Sequence, residues 1–99
     1  MKFLIEFNPP VDVKNELDNN PSMQKRLGEA IENMKPIAGW FTFRRGFFVV
    51  EANTIEEIGK KAAPFFYMFK EDPIISPAFG LDEFAKLLGM LAEEGKKLR

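Results

Sequence analysis

The chain contains neither cysteine nor histidine. The first absence excludes disulfides, thiolate metal sites and a cysteine nucleophile. The second removes the commonest general base and the commonest transition-metal ligand. An excess of either charge is lacking as well: 14 basic residues against 15 acidic ones leave a formal charge of −1. That balance argues against a general electrostatic grip on a nucleic-acid backbone or an anionic membrane. Long apolar runs are also missing. The opening Met1–Phe7 is interrupted by Glu6 and stopped by Asn8-Pro9-Pro10, too short for a signal peptide or a bilayer span. The expectation is a soluble, cytoplasmic protein. What is plentiful is phenylalanine, 11 of 99 residues, in a composition that is 45% hydrophobic and 29% charged. That is a globular mixture, and the length suits a single domain spanning 1–99, with a radius of gyration of roughly 13 Å.

Alternation marks the first strand, in which Phe3, Ile5 and Phe7 share one side and Leu4, Glu6 and Asn8 the other. Pro9-Pro10 ends it, because neither residue has an N–H for a ladder. Val11–Asn19 reads as a loop with a helical turn. Asn20 is suited to an N-cap with Pro21 at the first helical position, and Met23, Leu27, Ala30, Ile31 and Met34 form one apolar stripe up to Pro36. Ile37–Ala52 reads as a hairpin turning at Arg45-Gly46, where glycine tolerates a positive φ. A two-residue loop would set Phe43 opposite Phe48 and Trp40 opposite Glu51. Phe41, Phe43, Phe48 and Val50 would then face the core with Phe3, Ile5 and Phe7. Thr54-Ile55-Glu56-Glu57 is a capping box that opens the next helix, and Pro64 is expected to end or kink it. Pro73–Phe79, interrupted by Pro77, reads as an edge strand. A final helix from Asp82 carries Lys96, Lys97 and Arg99 at its end, complementing the helix dipole.

The order is β-α-β-β-α-β with a trailing helix, which is the ferredoxin-like α+β arrangement: an antiparallel sheet with helices on one face. Met1-Lys2-Phe3-Leu4-Ile5, Gly39-Trp40, Arg45-Gly46-Phe47 followed by Val50-Glu51-Ala52, and Ile75-Ser76-Pro77 occur in that sequence. Together they resemble an uncharacterised prokaryotic family of small ferredoxin-like proteins. More distantly, the layout resembles the dimeric α/β-barrel superfamily, which includes muconolactone isomerases and cofactor-independent monooxygenases; Pro10-Val11-Asp12 and the aromatic run after Pro64 are similar to the isomerases. The resemblance implies a dimer in which two sheets pack face to face. It carries no catalytic residue across.

On the expected register Glu6, Trp40, Thr42, Arg44 and Glu51 share the outer sheet face. Paired carboxylates tune a general acid or base, and an arginine beside them binds anions. The plainer reading is an ion pair of Arg44 with Glu6 or Glu51 at a dimer interface. Tyr67, the only phenol, joins the candidate ligand-binding set as a donor. Leu4, Trp40, Phe47 and Val49 make the same face too apolar to stay wet, so a homodimer or larger homo-oligomer is expected. Asp12, Glu16 and Asp18 match no calcium-loop pattern, and neither a metal nor a cofactor is expected. The expected role is small-molecule binding or structural interaction without catalysis. The alternative is a cofactor-independent monooxygenase or isomerase acting on a small organic acid or aromatic in the sheet cleft.

Overall fold

A computed structural model describes residues 1–98. The elements are β1 (Lys2–Phe7), α1 (Val11–Asn19), α2 (Pro21–Met34), β2 (Ala38–Phe41), β3 (Gly46–Glu51), α3 (Ile55–Phe69), β4 (Ile74–Ala78) and α4 (Leu81–Lys97). The four strands form one sheet in the order β2-β3-β1-β4, with every neighbouring pair antiparallel. No helix is long and apolar enough to cross a membrane among the described residues.

Alternation along β1 and β3 decides the layers. Ile5, Phe7, Phe48 and Val50 point to one side and join Val13, Leu17, Met23, Met34, Ile58, Phe65 and Phe69 of α1–α3 in a single core. Phe65 is fully buried and stacks on Phe7, with ring centroids 4.0 Å apart. The expected caps form. Asn20 Oδ1 accepts from the Met23 N–H at 3.1 Å, and Thr54 Oγ1 accepts from the Glu57 N–H at 3.2 Å. The return contact of Glu57 goes to the Asn53 N–H rather than to Thr54. Lys35 and Lys70 close α2 and α3 in the left-handed region, φ 50° and 57°. Lys61 Nζ donates to the Met34 carbonyl at 2.7 Å, tying α3 to the end of α2.

Three expectations change. Val11–Asn19 is a full helix, its Val13 and Leu17 buried one turn apart. Pro64 neither ends nor breaks α3, which continues to Phe69. Pro64 and Lys60 are both exposed, so water can satisfy the Lys60 carbonyl that loses its partner, while Phe65 and Phe69 are buried on the opposite side. The hairpin register also differs. Gly39 pairs with Phe48, Trp40 with Phe47 and Phe41 with Gly46, leaving Thr42–Arg45 as the loop. The Thr42 N–H donates to the Arg45 carbonyl at 2.9 Å, and the Arg45 N–H donates to Thr42 Oγ1 at 3.1 Å. Gly46 therefore lies within β3 without a positive φ. Phe43 leaves the sheet and is 97% exposed, and Phe41 stays at the rim, 62% exposed, edge-on to Phe48. Neither belongs to the core. Glycine is required at 39, where a Cβ would sit 2.7 Å from the Phe48 ring.

The molecule is longer than its length predicts: its radius of gyration is 16.6 Å and its extents are 54 × 25 × 22 Å. The elongation belongs to α4. Its N-terminus is held by the Gly80 N–H, which donates to Glu83 Oε1 at 3.2 Å, yet none of its residues is buried. Lys96 and Lys97 stand at its end as expected, each paired with a glutamate one turn earlier, whereas Arg99 lies outside the described residues.

Candidate functional site

The sheet face turned away from α1–α3 is formed by Leu4 and Glu6 of β1, Phe47, Val49 and Glu51 of β3, Ala38 and Trp40 of β2, and Ile74 and Ser76 of β4. No residue of this face is buried. Leu4, Phe47 and Val49 shield one another partly, while Trp40 and Ile74 are more than half exposed. Trp40 stacks on Phe47 across the β2–β3 pair, centroids 6.0 Å apart and planes within 16°. The expected apolar outer face is present, because the register shift was an even number of residues and an even shift leaves every side chain on its own face.

The polar set does not converge. Glu6 lies opposite Phe47 and Glu51 opposite Lys2, at the two ends of the β1–β3 ladder. The spacing of Phe47 from Glu51 on β3 puts the backbone positions of the two glutamates about 13 Å apart along the ladder. The cation beside Glu6 is Arg45, at 3.4 Å, not Arg44. Glu51 instead pairs with the N-terminal ammonium of Met1. That hydrogen bond holds its carboxyl below the ordinary glutamate value, with desolvation opposing and the charges of the ammonium and Lys2 assisting. Thr42 is engaged in the loop, as its hydroxyl accepts from Arg45. Tyr67 is three-quarters exposed on α3, facing a groove of about 500 Å³ against α2 together with Arg26, Glu29, Asn33 and Lys70. It stands apart from the sheet face.

Arg44 turns to the other side of the loop, toward α1. With Lys14 and Arg45 it rims a small apolar cavity of about 50 Å³ walled by Phe7, Leu17, Leu27, Phe41, Phe48, Phe65 and Phe69. Arg44 and Phe43 also face Val11, Asn15 and Asp18 across a shallow cleft. Arg44 makes no salt bridge among the described residues. The sequence does not single out Lys14, and it marks Arg45 as a turn residue rather than as the partner of Glu6. The signal for the second was Thr42, whose hydroxyl accepts from the Arg45 N–H in the longer turn that sets Arg45 beside Glu6. No group of three or more acids is placed to hold a metal ion among the described residues.

Comparison with known proteins gives no match to any family model, curated protein or solved structure.

Proposed function

We propose that this chain acts as a homo-oligomeric interaction protein of ferredoxin-like type, whose outer sheet face is its self-association surface. The single observation that carries this reading is a whole sheet face with no buried residue, on which Leu4, Trp40, Phe47, Val49 and Ile74 lie side by side. Apolar surface of this kind gains free energy when covered, and aromatic residues are the usual anchors of such contacts. Read from its other edge, the strand order is β4-β1-β3-β2 with antiparallel neighbours, which supports the ferredoxin-like arrangement. A dimeric α/β barrel, in which two such sheets face each other, covers the face with a second copy. Sedimentation equilibrium tests this directly. The wild type is expected to be dimeric or larger at micromolar concentration, and Trp40→Glu to shift it toward monomer. A wild type that stays monomeric at 100-fold higher concentration would overturn the proposal.

A second reading is favoured by the cavity under the β2–β3 loop. An apolar pocket with Lys14, Arg44 and Arg45 at its mouth suits the apolar end of a small carboxylate. The enzyme reading needed Glu6, Arg44 and Glu51 together, and the separation of the two carboxylates withdraws its support.

A further inference from the structure

We propose that α4 is an exchanged arm: the apolar stripe of each copy's α4 docks over the second copy's β2–β3 hairpin, with Glu94 beside Arg44. The inference rests on reading the outer sheet face as a self-association surface, and it adds what the second copy contributes beyond its own sheet.

Two unpartnered surfaces exist in one chain. At 3.6 residues per turn, Phe84, Leu87, Leu88 and Leu91 fall on one stripe of the last helix, and Leu98, just past its end, continues the stripe. Phe84, Leu88 and Leu91 are 47%, 50% and 57% exposed there, although the helix is regular along its length. The hairpin presents the other surface along the free edge of β2: Phe43, 97% exposed, stands at its tip, with Trp40 and Phe41, 52% and 62% exposed, on the two sides of that edge. Topology brings the two together across a dimer. Facing two of these sheets about a twofold axis parallel to the strands sets the β4 edge of one against the β2 edge of the other. Only Phe79 and Gly80 separate β4 from α4, so each arm starts beside the partner's β2.

Area points the same way. Four short strands make a face about 19 Å by 17 Å, so facing sheets alone bury about 650 Å². That falls short of the roughly 1,200 Å² of a stable interface. A stripe about 21 Å long and about 10 Å wide, contributed once by each copy, adds about 800 Å² and closes the gap. Charge sets the register. Glu94 flanks the stripe and is held only by an exposed contact to Lys97 at 3.1 Å, while Arg44 has no ionic partner among the described residues. An exposed pair of that kind is readily exchanged for another. A lipid surface suits the helix less well. Asp82, Glu83, Glu93 and Glu94 outnumber Lys86, Lys96 and Lys97, whereas interfacial helices carry a basic polar face.

The absence of native cysteine lets single introduced thiols report single contacts. Phe43→Cys and Leu91→Cys, mixed and oxidised, are expected to give a disulfide-linked species of dimer mass that neither variant gives alone. Leu88→Glu is expected to weaken dimerisation at least about 30-fold without lowering the helix content. A dimer that persists in sedimentation while the mixture fails to cross-link, or a Leu88→Glu protein with wild-type dimer affinity, overturns the arm and leaves the sheet contact standing. Leu91→Cys cross-linking to itself would pair the two α4 helices instead and also overturn it. Capture of the wild type by phosphatidylserine vesicles without a cross-link would assign the stripe to lipid. A monomeric wild type would sink both proposals.

Discussion

The centre and the margin of this molecule are built from the same residue types but differ in what covers them. At the centre, Phe7, Phe48, Phe65 and Phe69 interlock between β1, β3 and α3, and none is more than 5% exposed. At the margin, Trp40, Phe41 and Phe43 of the hairpin, Ile74 of β4 and Phe84, Leu88 and Leu91 of α4 are each between 47% and 97% exposed. Both regions show the periodicity of amphipathic elements. The contrast teaches that patterning identifies which side chains seek burial without saying whether the cover comes from the same chain.

The largest loss is expected from the centre. Phe65→Ala removes a fully buried ring stacked on Phe7 and is expected to cost about 3–5 kcal/mol, read as the loss of ΔG in urea unfolding. A cost below about 1 kcal/mol would mean that the core is loosely packed. Gly39→Ala is expected to cost about 1–3 kcal/mol, because the Phe48 ring must move to admit the methyl group. Phe43→Ala removes a ring from the margin instead. In dilute monomer it should alter stability by less than about 0.5 kcal/mol, whereas a residue of the core would cost several.

The smallest effect is one of pH. The carboxyl of Glu51 is held below its ordinary value, so its contribution is present above about pH 4.3 and disappears as pH falls through the lowered folded value. The small Tm gap between wild type and Glu51→Gln near neutrality should therefore close in acid below about pH 4. A gap that stays constant to pH 2 would separate Glu51 from the terminal ammonium.

Much of the framework was legible because it depends on local chemistry. Asn20-Pro21 and Thr54 begin their helices through caps that need only neighbouring residues, and the alternation of β1 names Ile5 and Phe7 as core. The hairpin register was not legible from alternation. Slipping β2 by an even number of residues leaves Trp40 outward and Phe41 inward, so periodicity cannot distinguish a two-residue loop from Thr42–Arg45. The candidate site inherited that ambiguity. Its apolar members survive an even slip, but Arg45 takes the place of Arg44 beside Glu6, and Trp40 faces Phe47 instead of Glu51. The distance from Glu6 to Glu51 depends on the β1–β3 register, which alternation within each strand leaves open. Pro64 misleads for a different reason: burial of Phe65 and Phe69 outweighs one lost helical bond on the exposed side.

The central claim, that the margin is completed by a second copy while the centre is complete within one, is tested most directly by amide hydrogen exchange at a series of protein concentrations. Slow exchange in β1, β3 and α3 should be independent of concentration. Amides of α4 should exchange rapidly in dilute protein and gain protection as concentration passes through the dimer dissociation constant. Protection of α4 that is already high in the dilute monomer, or that never rises with concentration, would contradict the account.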